Sequence, residues 1–175
     1  MYLVSVYFDD ETNKRIQRYI NAVAEKTRNT FMTHGNVPPH ITVSAFETRD
    51  EKRVIQILER KFAELERGSV TWCSVGTFLP YVIYIMPVLN KYLHGLSCEI
   101  NGCLSGIEGA EVNRFYRPLQ WVPHTTVGKT LSKEQMLTAF QILQESFGAF
   151  EGETAYIGLA KPNPHRDLMR VELKG

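Results

Sequence analysis

The segment Pro39-His40-Ile41-Thr42-Val43 recurs in the second half of the chain as Pro123-His124-Thr125-Thr126-Val127. Proline keeps the residue before it out of helical geometry, so each copy is predicted to open an extended segment. Side chains on a strand alternate between its two faces. His40, Thr42 and Ser44 then share one face, and Ile41, Val43 and Ala45 share the other. In the second copy His124 and Thr126 share a face and Val127 packs opposite. Each strand offers an imidazole and a hydroxyl to one side of a sheet and apolar groups to the other.

The repeat continues past the motif. Thr48-x-x-Glu51 follows the first copy and Ser132-x-x-Gln135 follows the second. Both read as capping boxes that open helices, predicted over about 51–66 and 133–147. Upstream of each motif, residues 2–8 and 81–86 read as strands. Each is followed by an apolar stripe at helical spacing: Ile16, Tyr19, Ile20 and Val23 in one case, Leu89, Tyr92, Leu93, Leu96 and Ile100 in the other. Further strands are predicted over 70–79, 150–159 and 168–173, with loops over 33–38, 102–118 and 161–165. The order predicts an α+β fold of two pseudo-symmetric lobes. Each lobe is a mostly antiparallel sheet with helices on its outer face, and a central cleft lies between them. No linker interrupts the pattern, so 1–175 reads as one bilobal domain with an internal duplication, about 1–80 and 81–175.

Composition narrows the partners. At 43% hydrophobic and 22% charged residues, the chain suits a soluble globular domain. Its net charge of +1 argues against an extended nucleic-acid groove and leaves room for a small phosphate ligand or an RNA end. Cys73, Cys98 and Cys103 are odd in number and lack Cys-x-x-Cys spacing, as expected of reduced thiols in the cytoplasm. Residues 1–10 lack the basic lead of a signal peptide, and no apolar run is long enough to span a membrane.

Two imidazoles across a cleft can act as general acid and general base, because the ordinary histidine pKa lies near neutrality. A hydroxyl two residues along each strand can donate to the non-bridging oxygens of a phosphodiester. His40, Thr42, His124 and Thr126 are therefore the candidate catalytic residues. This chemistry requires no metal or cofactor. His34, His94 and His165 read as residues of exposed surface or loops, and none has a His or Cys at ligand spacing, which argues against a zinc site.

Paired His-x-Thr motifs on duplicated strands resemble the 2H phosphoesterase superfamily, whose bacterial branch is the 2'-5' RNA ligase or RNA 2',3'-cyclic phosphodiesterase family. The resemblance implies a bilobal fold with both motifs lining the cleft. It also implies opening of 2',3'-cyclic phosphates to 2'-phosphates, cleavage or ligation of 2'-5' linkages, or nucleotide binding with little turnover. It carries His124 as the base that activates water and His40 as the acid. Many members follow the second motif with an apolar residue and arginine, where this chain has Val127-Gly128-Lys129. By alternation Lys129 points away from the His124 face and reads as a surface residue. Arg114, Tyr116, Arg117 and Trp121 precede the second motif. They read either as substrate-binding groups, with aromatics stacking on a base and arginines holding phosphate, or, for the aromatics, as cover for the core.

Overall fold

A computed structural model describes residues 1–35, 37–162 and 165–175. Strand β1 (Tyr2–Phe8) leads into α1 (Asp10–Thr27), where the Asp9 carboxylate accepts from the Thr12 amide at 2.8 Å. A short helix, α2 (Phe31–His34), precedes β2 (His40–Glu47) and α3 (Glu51–Phe62). The hairpin β3 (Ser69–Phe78) and β4 (Val82–Pro87) leads to α4 (Lys91–Ser105), the short strand β5 (Glu111–Val112) and β6 (Thr125–Gly128). Helix α5 (Lys133–Ser146), β7 (Phe150–Pro162) and β8 (His165–Glu172) complete the chain.

The strands run in the order β5-β2-β1-β7-β3-β4-β6, with β8 also paired to β7, and each of these pairings is antiparallel. The repeats exchange strands. β3, which ends the first repeat, pairs with β4 of the second. β7, near the end of the second, pairs with β1 of the first. Helices follow suit: α1 packs on α5 and β6, and α4 packs on β2 and α3. Each lobe thus draws strands and helices from both halves of the chain.

Both motif strands carry a β-bulge at the valine of the motif. Thr42 pairs with Ser5 and Ser44 with Val4, so Val43 is the extra residue; Thr126 pairs with Tyr84 and Gly128 with Ile83, so Val127 is. A bulge shifts alternation by one. Ser44 therefore does not share the face of His40 and Thr42. It turns to the helix side, where its hydroxyl donates to the Asn101 side chain of α4 at 2.8 Å, and Ala45 takes the cleft face opposite Leu3. The two tryptophans brace the motif strands. The Trp121 indole donates to the Thr42 carbonyl at 3.0 Å, and the Trp72 indole donates to the Thr125 hydroxyl at 3.1 Å. Trp72 also stacks on Phe150 with ring centroids 4.8 Å apart.

Several boundaries differ from the sequence reading. Asp50, not Thr48, caps α3, accepting from the Arg53 amide at 3.0 Å. Glu51 instead accepts from the Tyr2 hydroxyl at 2.9 Å and pairs with Lys161 at 2.5 Å. Ser132 and Gln135 do form a capping box. α2 occupies part of the predicted 33–38 loop, α4 runs through Gly102, and β7 and β8 take all of the described part of 161–165. Asn163 and Pro164 lie outside the described residues.

Candidate active site

A cleft of about 790 Å³ opens between β1 and the segment formed by the end of α1 and α2, with His40 and Thr126, one from each motif, among its walls. Ser5 and Tyr7 of β1 lie beside them. Thr42 is buried next to this wall, its hydroxyl 3.1 Å from that of Ser5. His124 is half-buried under aromatic cover: Phe78 meets its ring edge-on at 4.8 Å and Tyr84 lies at 5.3 Å. Gly76 permits that packing, since a Cβ there would meet the Tyr84 ring at 2.5 Å. Tyr7 plays the corresponding part for His40, with ring centroids 5.9 Å apart.

The two imidazoles are held alike. His40 Nδ1 lies 2.8 Å from the Pro38 carbonyl, and His124 Nδ1 lies 2.9 Å from the Val122 carbonyl. A carbonyl only accepts, so Nδ1 carries the hydrogen in each ring. Among the described residues nothing bonds Nε2 of either ring, and that atom can take a proton, or give one once the ring is charged. Burial holds the His40 pKa below the ordinary histidine value; the Pro38 carbonyl opposes this, and the charges of His124, His165 and Lys129 add to it. Burial likewise lowers His124, against the Val122 carbonyl.

The cleft wall carries two cations, Arg28 and Lys129, and the Asp167 carboxylate lies 3.2 Å from His165 Nε2 at its edge. His34 and His165 also line the cleft, and no Asp or Glu is among its described lining residues. Alternation placed Lys129 on the surface; the bulge at Val127 brings it to the cleft, where its ammonium sits 5.6 Å from the Phe31 ring. His34 and His165 read as loop residues in the sequence, yet α2 and β8 present them here. No local motif marks them, because chain segments far apart bring them together.

Arg114, Tyr116, Arg117 and Trp121 are not among the residues lining this cleft. Trp121 is buried in the core behind β2. Tyr116 packs against the core, and its carbonyl accepts from Asn101 at 3.1 Å. The Arg114 guanidinium folds over Phe115 at 4.6 Å. Arg117 lines a separate hollow beside α4 and β5. The apolar back of β2 requires cover, and the segment before the second motif supplies it. Among the described residues no three His, Cys, Asp or Glu side chains converge as a metal-ligand set, and no helix is long and apolar enough to cross a membrane.

Sequence comparison with the curated proteins finds no match. The solved structure of E. coli LigT in complex with 3'-AMP is similar over 99% of this chain and 98% of its own, at 13% identity and a TM-score of 0.64. TT0787 of Thermus thermophilus is similar over 99% and 98%, at 15% identity and a TM-score of 0.63. These likenesses are of fold. The family model of the 2'-5' RNA ligase superfamily matches residues 8–165, a span that takes in both motif strands and reaches His165 on the cleft rim. On that match the chain belongs to the 2'-5' RNA ligase superfamily, the 2H phosphoesterases, whose chemistry is of the phosphoesterase and ligase type.

Proposed function

We propose that this protein opens the 2',3'-cyclic phosphate of a nucleotide or RNA end to a 2'-phosphate, without a metal, using the two motif histidines as general base and general acid. One observation carries the reading: both imidazoles have Nδ1 fixed by the carbonyl two residues upstream, and neither Nε2 has a partner among the described residues. A structural histidine rarely needs that arrangement twice, once in each repeat.

In the proposed reaction water attacks phosphorus while the P–O3' bond breaks. His124 Nε2 takes the water proton, and protonated His40 gives its Nε2 proton to the departing O3'. The product is a 2'-phosphomonoester, and the two rings end with their protonation states exchanged. Each positioned transfer is worth about 10²–10⁴-fold in rate. Thr42 and Thr126 would donate to the non-bridging oxygens as charge builds there. Arg28 and Lys129 on the cleft wall suit an anionic ligand. The complexes of E. coli LigT with 3'-AMP, ATP and NADP+ support a nucleotide as that ligand.

The test is a substrate panel with product identification: 2',3'-cyclic mononucleotides, RNA ends bearing a cyclic phosphate, and 2'-5' dinucleotides. The expected product of the first two is the 2'-phosphate. Formation of the 3'-phosphate, or turnover of 2'-5' linkages alone, would overturn the reading.

A further inference from the structure

Helix α1 ends on a residue in a conformation that glycine usually fills. Arg28, its C-cap, has φ 56° and ψ 23°, in the left-handed region. Across from it, on the turn after β6, Thr130 has φ 59°. The two turns come from opposite repeats and are tied together. The Asn29 side chain donates to the Thr130 carbonyl at 3.0 Å, and the Gln135 side chain donates to the Thr27 carbonyl at 3.0 Å. This clamp sets Arg28 beside the turn that carries Lys129, with both on the cleft wall. Among the described residues neither makes an ion pair with a carboxylate. Glycine at position 28 would relieve the backbone, and no salt bridge offsets the arginine. Backbone strain of this kind persists where surrounding bonds hold it and tends to mark functional positions.

We propose that Arg28 anchors a second phosphate subsite, one that takes a phosphate of the substrate other than the reacting cyclic one. This rests on the reading of the cleft as a nucleotide site. A nucleoside 2',3'-cyclic phosphate carries one phosphate, and the motif strands already supply donors for it. A second phosphate is present when the nucleotide bears a 5'-phosphate, or when an internucleotide phosphodiester precedes it. The guanidinium suits either, because its paired N–H groups match two phosphate oxygens.

Calorimetric titration can read the subsite without turnover. The ligands are adenosine 3'-monophosphate, adenosine 3',5'-bisphosphate and a diadenosine 3'-phosphate with an unphosphorylated 5' end. The wild type is expected to bind one or both two-phosphate ligands about 10-fold or more tighter than the monophosphate, as charge-assisted hydrogen bonds allow. A gain with the bisphosphate identifies a terminal phosphate in the subsite; a gain with the dinucleotide alone identifies an internucleotide one. Arg28→Gly should bring that ratio close to one and hold or raise the melting temperature, because glycine accepts φ 56°; Arg28→Lys should keep most of the ratio. Equal wild-type affinity for all three ligands, or a ratio unchanged in Arg28→Gly, overturns the subsite. Failure to hydrolyse any cyclic phosphate would instead count against the proposed reaction and leave this ratio to be judged separately.

Discussion

The hydroxyl of Thr42 lies 3.1 Å from the hydroxyl of Ser5, its paired neighbour on β1. Ser5 reaches the cleft and Thr42 is buried behind it. Either hydroxyl can be the donor of this pair, so the two act as one hydrogen-bonded unit behind the cleft wall. Thr126 stands in the same place in the other repeat, but Tyr84 is paired across from it. The two threonines are therefore not equivalent.

Thr126→Val keeps the side-chain shape and removes one donor, so it should cost about 2–4 kcal/mol of transition-state stabilisation. Ser5→Ala and Thr42→Val should each lower kcat/KM, and the double variant should fall short of their sum by about 0.5–3 kcal/mol. Steady-state kinetics on the cyclic nucleotide measures both. Additive losses at Ser5 and Thr42 would mean that their hydrogen bond has no part in catalysis.

The pH dependence follows from burial. Both histidines have pKa values lowered from the ordinary value. Catalysis needs one neutral and one protonated, so the bell of kcat/KM should centre below the unperturbed pKa of about 6.5. An anionic substrate favours the charged ring, so the bell of kcat should move to higher pH. A kcat/KM maximum well above neutrality would contradict the environment found for these rings.

Trp121→Phe should destabilise the protein rather than alter base preference. It removes the donor to the Thr42 carbonyl, a loss of about 1–3 kcal/mol. For a chain of this size that lowers Tm by about 2–4 °C per kcal/mol. A changed base preference at unchanged Tm would place Trp121 at the ligand after all.

The two motif strands were legible in the sequence because their pattern recurs. Two Pro-His-x-Thr-Val segments, each followed by a helix, point to paired strands whatever surrounds them. What the alternation rule could not show is where it fails. The bulges at Val43 and Val127 turn Ser44 into the core and bring Lys129 to the cleft, and nothing in the residue types announces a bulge. The Thr48-x-x-Glu51 pattern met competition from Asp50, itself a strong cap, and Glu51 had a better partner in Lys161. Arg28, His34 and His165 become neighbours of the site only through strand exchange and the packing of α1 on α5. The residues before the second motif, aromatic and basic, look like a ligand platform in sequence; Trp121 is buried behind β2, while Arg114, Phe115 and Arg117 stay exposed.

Turnover should survive chelation. No described cluster of His, Cys, Asp or Glu offers a metal-ligand set, and the proposed proton transfers need none. Loss of activity in EDTA, restored by zinc or magnesium, would contradict the mechanism.

The roles of the two histidines can be separated by the leaving group. If His40 protonates O3', a phosphodiester with a p-nitrophenyl leaving group, which needs no proton, should rescue His40→Ala far more than His124→Ala. Preferential rescue of His124→Ala would reverse the assignment.

Two-histidine catalysis is tested by turnover of a 2',3'-cyclic nucleotide by wild type, His40→Ala and His124→Ala, with nucleotide affinity measured on the same samples. Wild type should release the 2'-phosphate. Each variant should lose about 10²–10⁴-fold in kcat and still bind nucleotide. Turnover undiminished in both variants would contradict the claim.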